Sequence, residues 1–61
     1  MNSLIRYLYN GRIISEVFRF GVIEALEEFQ QLKEIDFVLN KIHILEVKLI
    51  DKQTYDFYNK K

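Results

Sequence analysis

The sequence has no cysteine, no proline and no tryptophan, and only two glycines and one histidine. Each shortage removes a class of protein. Without cysteine there is no disulfide and no thiolate metal site, and the absence fits a reducing compartment. The single histidine, His43, cannot form a histidine cluster. Two isolated glycines, Gly11 and Gly21, cannot build a glycine-rich phosphate loop. An excess of charge of either sign is missing too, since nine basic and nine acidic residues cancel. Non-specific nucleic-acid binding rests on a basic excess, and an acidic mimic of DNA would need the opposite excess. Zero net charge also removes long-range steering of partners. No stretch approaches the 18 or so apolar residues of a membrane span. The first residues carry Arg6 inside their apolar run and no small-residue cleavage pattern, so no signal peptide is read there. The expected location is the cytoplasm, that of the host cell if the chain is phage-encoded. No cofactor, metal or membrane is expected.

What is present is a large apolar fraction in a short chain. The 61 residues begin at Met1 without a tag or linker scar, and are expected to be one complete domain spanning 1–61. A chain of this size buries roughly 60% of the surface it exposes when unfolded, and most chains below about 70–80 residues need a staple. Yet 49% of the residues are hydrophobic, including eight Ile, four Val and nine aromatics. Disordered chains lack these types, so the chain is expected to fold with apolar surface left over. Association, with a second copy or another protein, is then the remaining staple. Residues with AT-rich codons (Phe, Tyr, Met, Ile, Asn, Lys) fill 28 positions, against six for Gly, Ala, Arg and Pro. Low-GC bacteria and their phages show that skew.

Along the chain, Asn10-Gly11 is the best local signal. It separates two β-rich segments, Leu4–Tyr9 and Arg12–Phe20, and Asn-Gly suits the positive φ values of a type I′ hairpin turn. A two-residue loop sets Tyr9 against Arg12, Leu8 against Ile13 and Tyr7 against Ile14. One face then carries Ile5, Tyr7, Tyr9, Ile14 and Phe18, and the other Leu4, Leu8, Ile13 and Val17. A ribbon apolar on both faces needs a cover on both. The chain's own helix can supply one, and a partner or second copy the other.

From Val22 to about Ile35 the period becomes helical. Val22, Ala25, Leu26, Phe29 and Leu32 form a stripe opposite Glu24, Glu27, Gln31 and Glu34. No Ser, Thr or Asp caps its start. Residues 36–61 admit two readings. Leu45, Val47 and Leu49 alternate with Glu46 and Lys48 as a strand does, although Ile44 and Ile50 break the polar side. With Asp51-Lys52 as a turn, 42–50 and 53–58 make a second hairpin. A helical reading also fits, through Val38, Ile42, Leu45 and Leu49. The β-branched and aromatic content favours strand. The expected fold is a small α+β layer: an N-terminal β-hairpin, one amphipathic helix and a C-terminal strand or hairpin. The alternative is a mostly α, dimeric protein, with a strand followed by a helical hairpin.

Chemistry finds few candidates. His43 lies between Ile42 and Ile44 and reads as an edge-of-core residue, because a catalytic or pH-sensing role needs partners that its neighbours do not supply. The acids Glu24, Glu27, Glu28 and Glu34 read as a solvated helix face before they read as a metal site, and they can also dock a basic partner. Ser15 lies in a strand without a glycine elbow. Tyr7 and Tyr9 divide between core and interface, where a rigid ring with a polar tip is favoured. Arg6, Arg12 and Arg19 alternate with aromatics and can stack on them. Lys60-Lys61 reads as a solvating end.

No enzyme is expected. The expected function is a protein–protein interaction module, such as a phage- or mobile-element-encoded inhibitor of a host defence or regulatory factor, working as a dimer. The alternatives are a small dimeric nucleic-acid-binding transcriptional regulator and a structural subunit of a larger assembly. The expected partner-binding residues are Tyr7, Tyr9, Arg12, Ile14, Phe18, Glu24, Glu27 and Gln31.

Overall fold

The computed structural model describes residues 1–60. Its first strands follow from the turn. Asn10 and Gly11 both take positive φ, 51° and 78°, as a type I′ turn requires. Strands β1 (Asn2–Tyr9) and β2 (Arg12–Phe18) pair antiparallel, with Tyr9 opposite Arg12, Leu8 opposite Ile13 and Tyr7 opposite Ile14. This is the expected register. A Cβ on Gly11 would meet nothing within 4 Å, so Gly11→Ala adds only backbone strain. The expected cost is about 1–2 kcal/mol, read as a lower urea midpoint at unchanged slope. A neutral result would show that the turn does not hold its left-handed residue.

Strand β3 (Ile42–Ile50) pairs antiparallel with the other side of β1, giving the order β2-β1-β3. Arg6 lies opposite Glu46 but Tyr7 lies opposite Ile44, so Leu45 is the extra residue of a β-bulge. The bulge accounts for the broken alternation in this segment. It brings Ile44 to the same face as Val47, which lies opposite Ile5.

Helix α1 (Val22–Leu32) covers the face of Ile5 and Tyr7. Ala25 and Phe29 are buried there, and Leu26 packs against them. Phe29 is the hub. Its ring lies 4.8 Å from that of Tyr7, 5.6 Å from Phe37 and 6.3 Å from Phe18. The Ser3 hydroxyl donates to the Phe20 carbonyl at 2.5 Å and ties β1 to the loop that launches α1. No side chain caps Gly21, as expected.

The helix expected to reach Ile35 stops earlier. Lys33 leaves helical geometry, and a second helix, α2 (Glu34–Val38), follows. Its end is a Schellman motif: Asn40 has φ 58°, Lys41 N–H donates to Asp36 O at 2.8 Å, and Asn40 N–H donates to Phe37 O at 3.0 Å. The break turns Phe37 inward, onto Phe29.

The C-terminal segment corrects the expected second hairpin. Residues 53–58 are not a strand; they belong to helix α3 (Lys52–Asn59). The cause is local. The Asp51 carboxylate accepts from Thr54 N–H at 2.7 Å, capping the first turn. That hydrogen bond holds the Asp51 carboxyl below its usual pKa. Tyr55 and Tyr58 then share one helix face. Tyr58 Oη accepts from Arg6 Nη2 at 3.0 Å and Tyr55 Oη from Arg19 Nε at 3.1 Å. So α3 lies on β1 and β2 and covers part of the face that carries Leu4 and Val17. The result is a small α+β fold, an open antiparallel sheet with α1 and α2 on one face and α3 on the other. One expected helix has become three. The mostly helical alternative does not form, because 12–18 and 42–50 are strands. Of the expected solvating end, Lys60 is exposed and Lys61 lies outside the described residues.

Candidate interaction surface

At the hairpin end of the α1 face, the sheet and the two helices leave a half-open hollow of about 160 Å³. Tyr7 and Ile42, both buried, form its floor, and the half-buried Tyr9, Ile14, Lys33 and Asp36 form its walls. β1, β2 and β3 supply Tyr7, Tyr9, Ile14 and Ile42 by register. Lys33 and Asp36 arrive only because the chain breaks between α1 and α2. Below the rim, the Tyr7 hydroxyl donates to Glu16 Oε2, and Lys33 Nζ lies 3.6 Å from the same oxygen. Burial pushes the Tyr7 phenol well above its usual pKa, and its hydrogen bond to Glu16 and the negative charges of Glu16 and Asp36 push it further. The phenol therefore stays protonated at neutral pH and acts as a hydrogen-bond donor, not as a base.

A second recess runs along the outer side of α1. Phe20, Glu24, Glu27, Glu28 and Gln31 line it. A third, lined by residues 31–36, shares Gln31 with the second and Lys33 and Asp36 with the hollow. The three recesses form one strip from Phe20, past four glutamates (Glu24, Glu27, Glu28 and Glu34), to the hollow. Its one lysine, Lys33, is paired with Glu16. The strip is acidic and ends in a recess of mixed lining, where Ile14, Ile42 and the tyrosine rings lie between Lys33 and Asp36. Leu32 and Ile35 are exposed within the third recess, and Val38 and Leu39 are exposed at the end of the five-residue α2.

The expected partner-binding residues divide between core and surface. Tyr7 and Phe18 are buried against Phe29 and present almost no side-chain area to a partner. Tyr9 and Ile14 line the hollow, and Arg12 is exposed opposite Tyr9 at the turn. Glu24, Glu27 and Gln31 come together in the α1 recess. Residue patterns alone missed Phe20, Lys33, Asp36 and Ile42. Asn40 signals only where the helical segment ends; the break at Lys33 that brings Asp36 to the hollow has no such signal.

The remaining chemical candidates have structural settings. His43 is exposed opposite Leu8. The Ser15 hydroxyl accepts from Arg6 Nε at 3.4 Å, and Arg6 also lies 3.7 Å from Glu46. Among the described residues, no three His, Asp or Glu side chains gather as a metal site would. No described helix is long and apolar enough to cross a membrane. No protein-family model, curated protein or solved structure matches the chain.

Proposed function

We propose that this chain works by binding another protein rather than by catalysis, and that the acidic strip along α1 and α2 takes a basic segment whose bulky apolar residue enters the hollow. One observation carries the reading: twelve large apolar side chains among the described residues stay exposed on a single copy, with Ile35 and Val38 each more than 70% exposed. Leaving such area in water is unfavourable by roughly 25 cal/mol per Å², and contiguous exposed apolar patches mark interaction sites. The hollow is small for a cofactor or metabolite, whose pockets span about 300–1,000 Å³. Its size and lining suit one anchoring side chain, the usual core of an interface hot spot. The glutamates supply complementary charge for the flanking residues. A second copy of the chain is the other candidate cover for apolar surface. Residue usage typical of an AT-rich genome supports a phage- or mobile-element-encoded inhibitor of a host protein as the biological form.

Panning a random peptide library on the purified protein tests this. The enriched peptides should combine Lys or Arg with one bulky aliphatic or aromatic residue, and their binding should weaken as salt rises. Reversing two charges, Glu24→Lys with Glu27→Lys, should lower affinity about tenfold or more, equivalent to about 1.4 kcal/mol. Selected peptides without basic residues, or unchanged affinity in the double variant, would count against the strip as the docking site.

A further inference from the structure

The exposed edge of β3 has a symmetry that the fold of one copy does not use. Read outward from Val47, the strand pairs Glu46 with Lys48, Leu45 with Leu49 and Ile44 with Ile50. The segment is an apolar palindrome with its charges inverted about the centre. Among the described residues, β3 pairs with β1 on one side only, and α3, which follows it directly, turns away to lie on β1 and β2. The outer backbone groups of β3 are therefore a row of unpaired donors and acceptors.

We infer that two copies of this chain pair through β3, antiparallel and centred on Val47. A two-fold axis makes each contact reciprocal. Val47 meets its own copy, and each Glu46 faces a Lys48 across the axis. Each Leu45, 48% exposed in one copy, faces a Leu49, 54% exposed. Opposite charges and apolar pairs directly across antiparallel strands are the favourable combinations. Regular alternation runs from Glu46 onward and the bulge residue Leu45 ends it, so the pairing core is Leu45–Leu49. Lys48 is half exposed and lies 3.6 Å from one oxygen of its own Glu46, whose other oxygen lies 3.7 Å from Arg6, so Lys48 can exchange to the facing Glu46 while each Glu46 keeps its Arg6. The other edge, β2, lacks this symmetry, since reading outward from its central Ser15 sets Ile14 against Glu16. The product is a continuous six-stranded sheet, β2-β1-β3-β3-β1-β2. It uses none of the α1–α2 strip, so it stands or falls independently of partner docking there.

Light scattering after size exclusion reads the mass directly. The native chain should run at twice its 7.4 kDa. Lys48→Glu and Glu46→Lys each place two like-charge pairs across the axis, and each should fall to monomer mass with its circular dichroism spectrum retained. Mixing the two single variants should restore the doubled mass, because every cross-axis pair is then opposite in sign. A native monomer at high concentration overturns the inference, and so do dimers that survive both reversals or a mixture that stays monomeric. Should a charge variant fail to fold, Val47→Cys provides an independent reading. The chain has no other cysteine, and residues directly opposed in antiparallel strands approach within disulfide range. Oxidised Val47→Cys should run as a dimer on a non-reducing gel, while Ile13→Cys on the far strand should not. Equal cross-linking at both positions overturns the register.

Discussion

Phe29→Ala should cost about 3–5 kcal/mol, the range for truncating a fully buried aromatic. Phe29 is completely enclosed, and its ring meets Tyr7 from β1, Phe18 from β2 and Phe37 from α2. One side chain thus joins both strands of the hairpin to both helices of that face. A domain of this length has about 3–9 kcal/mol of stability in total, so the loss amounts to a large share of it. Urea titration followed by circular dichroism, at fixed protein concentration because association adds to apparent stability, should show the variant mostly unfolded or with a strongly lowered midpoint. A loss under about 1 kcal/mol would mean that α1 does not seat on the sheet through this ring. Phe57, 73% exposed on α3, provides the contrast, since its truncation removes little buried area.

The parts of this fold legible in residue order are those decided within a few positions. Asn10-Gly11 sets the turn, the turn sets the register, and the register sorts Ile5, Tyr7 and Tyr9 from Leu4 and Leu8. The stripe of Ala25 and Phe29 likewise belongs to one helix, and its outer face keeps Glu24, Glu27 and Gln31 together in the proposed site. What was not legible depends on something distant. The bulge at Leu45 exists only relative to β1, so from β3 alone Ile44 and Ile50 look like flaws in an alternating strand. Tyr7 and Phe18 became core because α1 covers their face of the ribbon, and the two faces are almost equally apolar in sequence. Lys33 and Asp36 reach the hollow through a helix break that no residue near Lys33 announces.

The C-terminal helix is a different case, since its signal was local and outweighed. Tyr55 and Phe57 fit a two-residue alternation, whereas Tyr55 and Tyr58 fit a helical face. Asp51 and Thr54, at the spacing of an N-cap and its third helical residue, decide between the periods. The aromatic residues of the segment, which favour strand, outnumber that pair. The consequence is functional as well as structural: part of the ribbon's second face, which the sequence leaves open to a partner, is closed by the chain itself. That leaves for docking the helices α1 and α2, the sheet edges and the open half of this face around Leu8 and Ile13.

Where α3 ends its cover can be tested by two substitutions on the same face. Leu4 and Ile13 both project to the α3 side, Leu4 opposite Val17 and Ile13 opposite Leu8. Leu4 is fully enclosed, while Ile13 is 64% exposed near the turn. Leu4→Ala should therefore cost about 2–5 kcal/mol, combining lost burial with the cavity left behind. Ile13→Ala should stay within about 0.5 kcal/mol, as a surface change does. Arg6 lies between the two, with its guanidinium held by Tyr58 and Glu46, and so marks the polar border of the covered half. Equal costs at both positions would mean that the cover extends to the turn, and that a second copy or another protein closes this face in solution. Equal neutrality would mean that α3 is not docked at all, because α3 is the described element that packs on β1 and β2 from that side. The unequal result is the one the geometry requires: the self-covered half of the face carries stability, and the open half around Leu8 and Ile13 carries almost none.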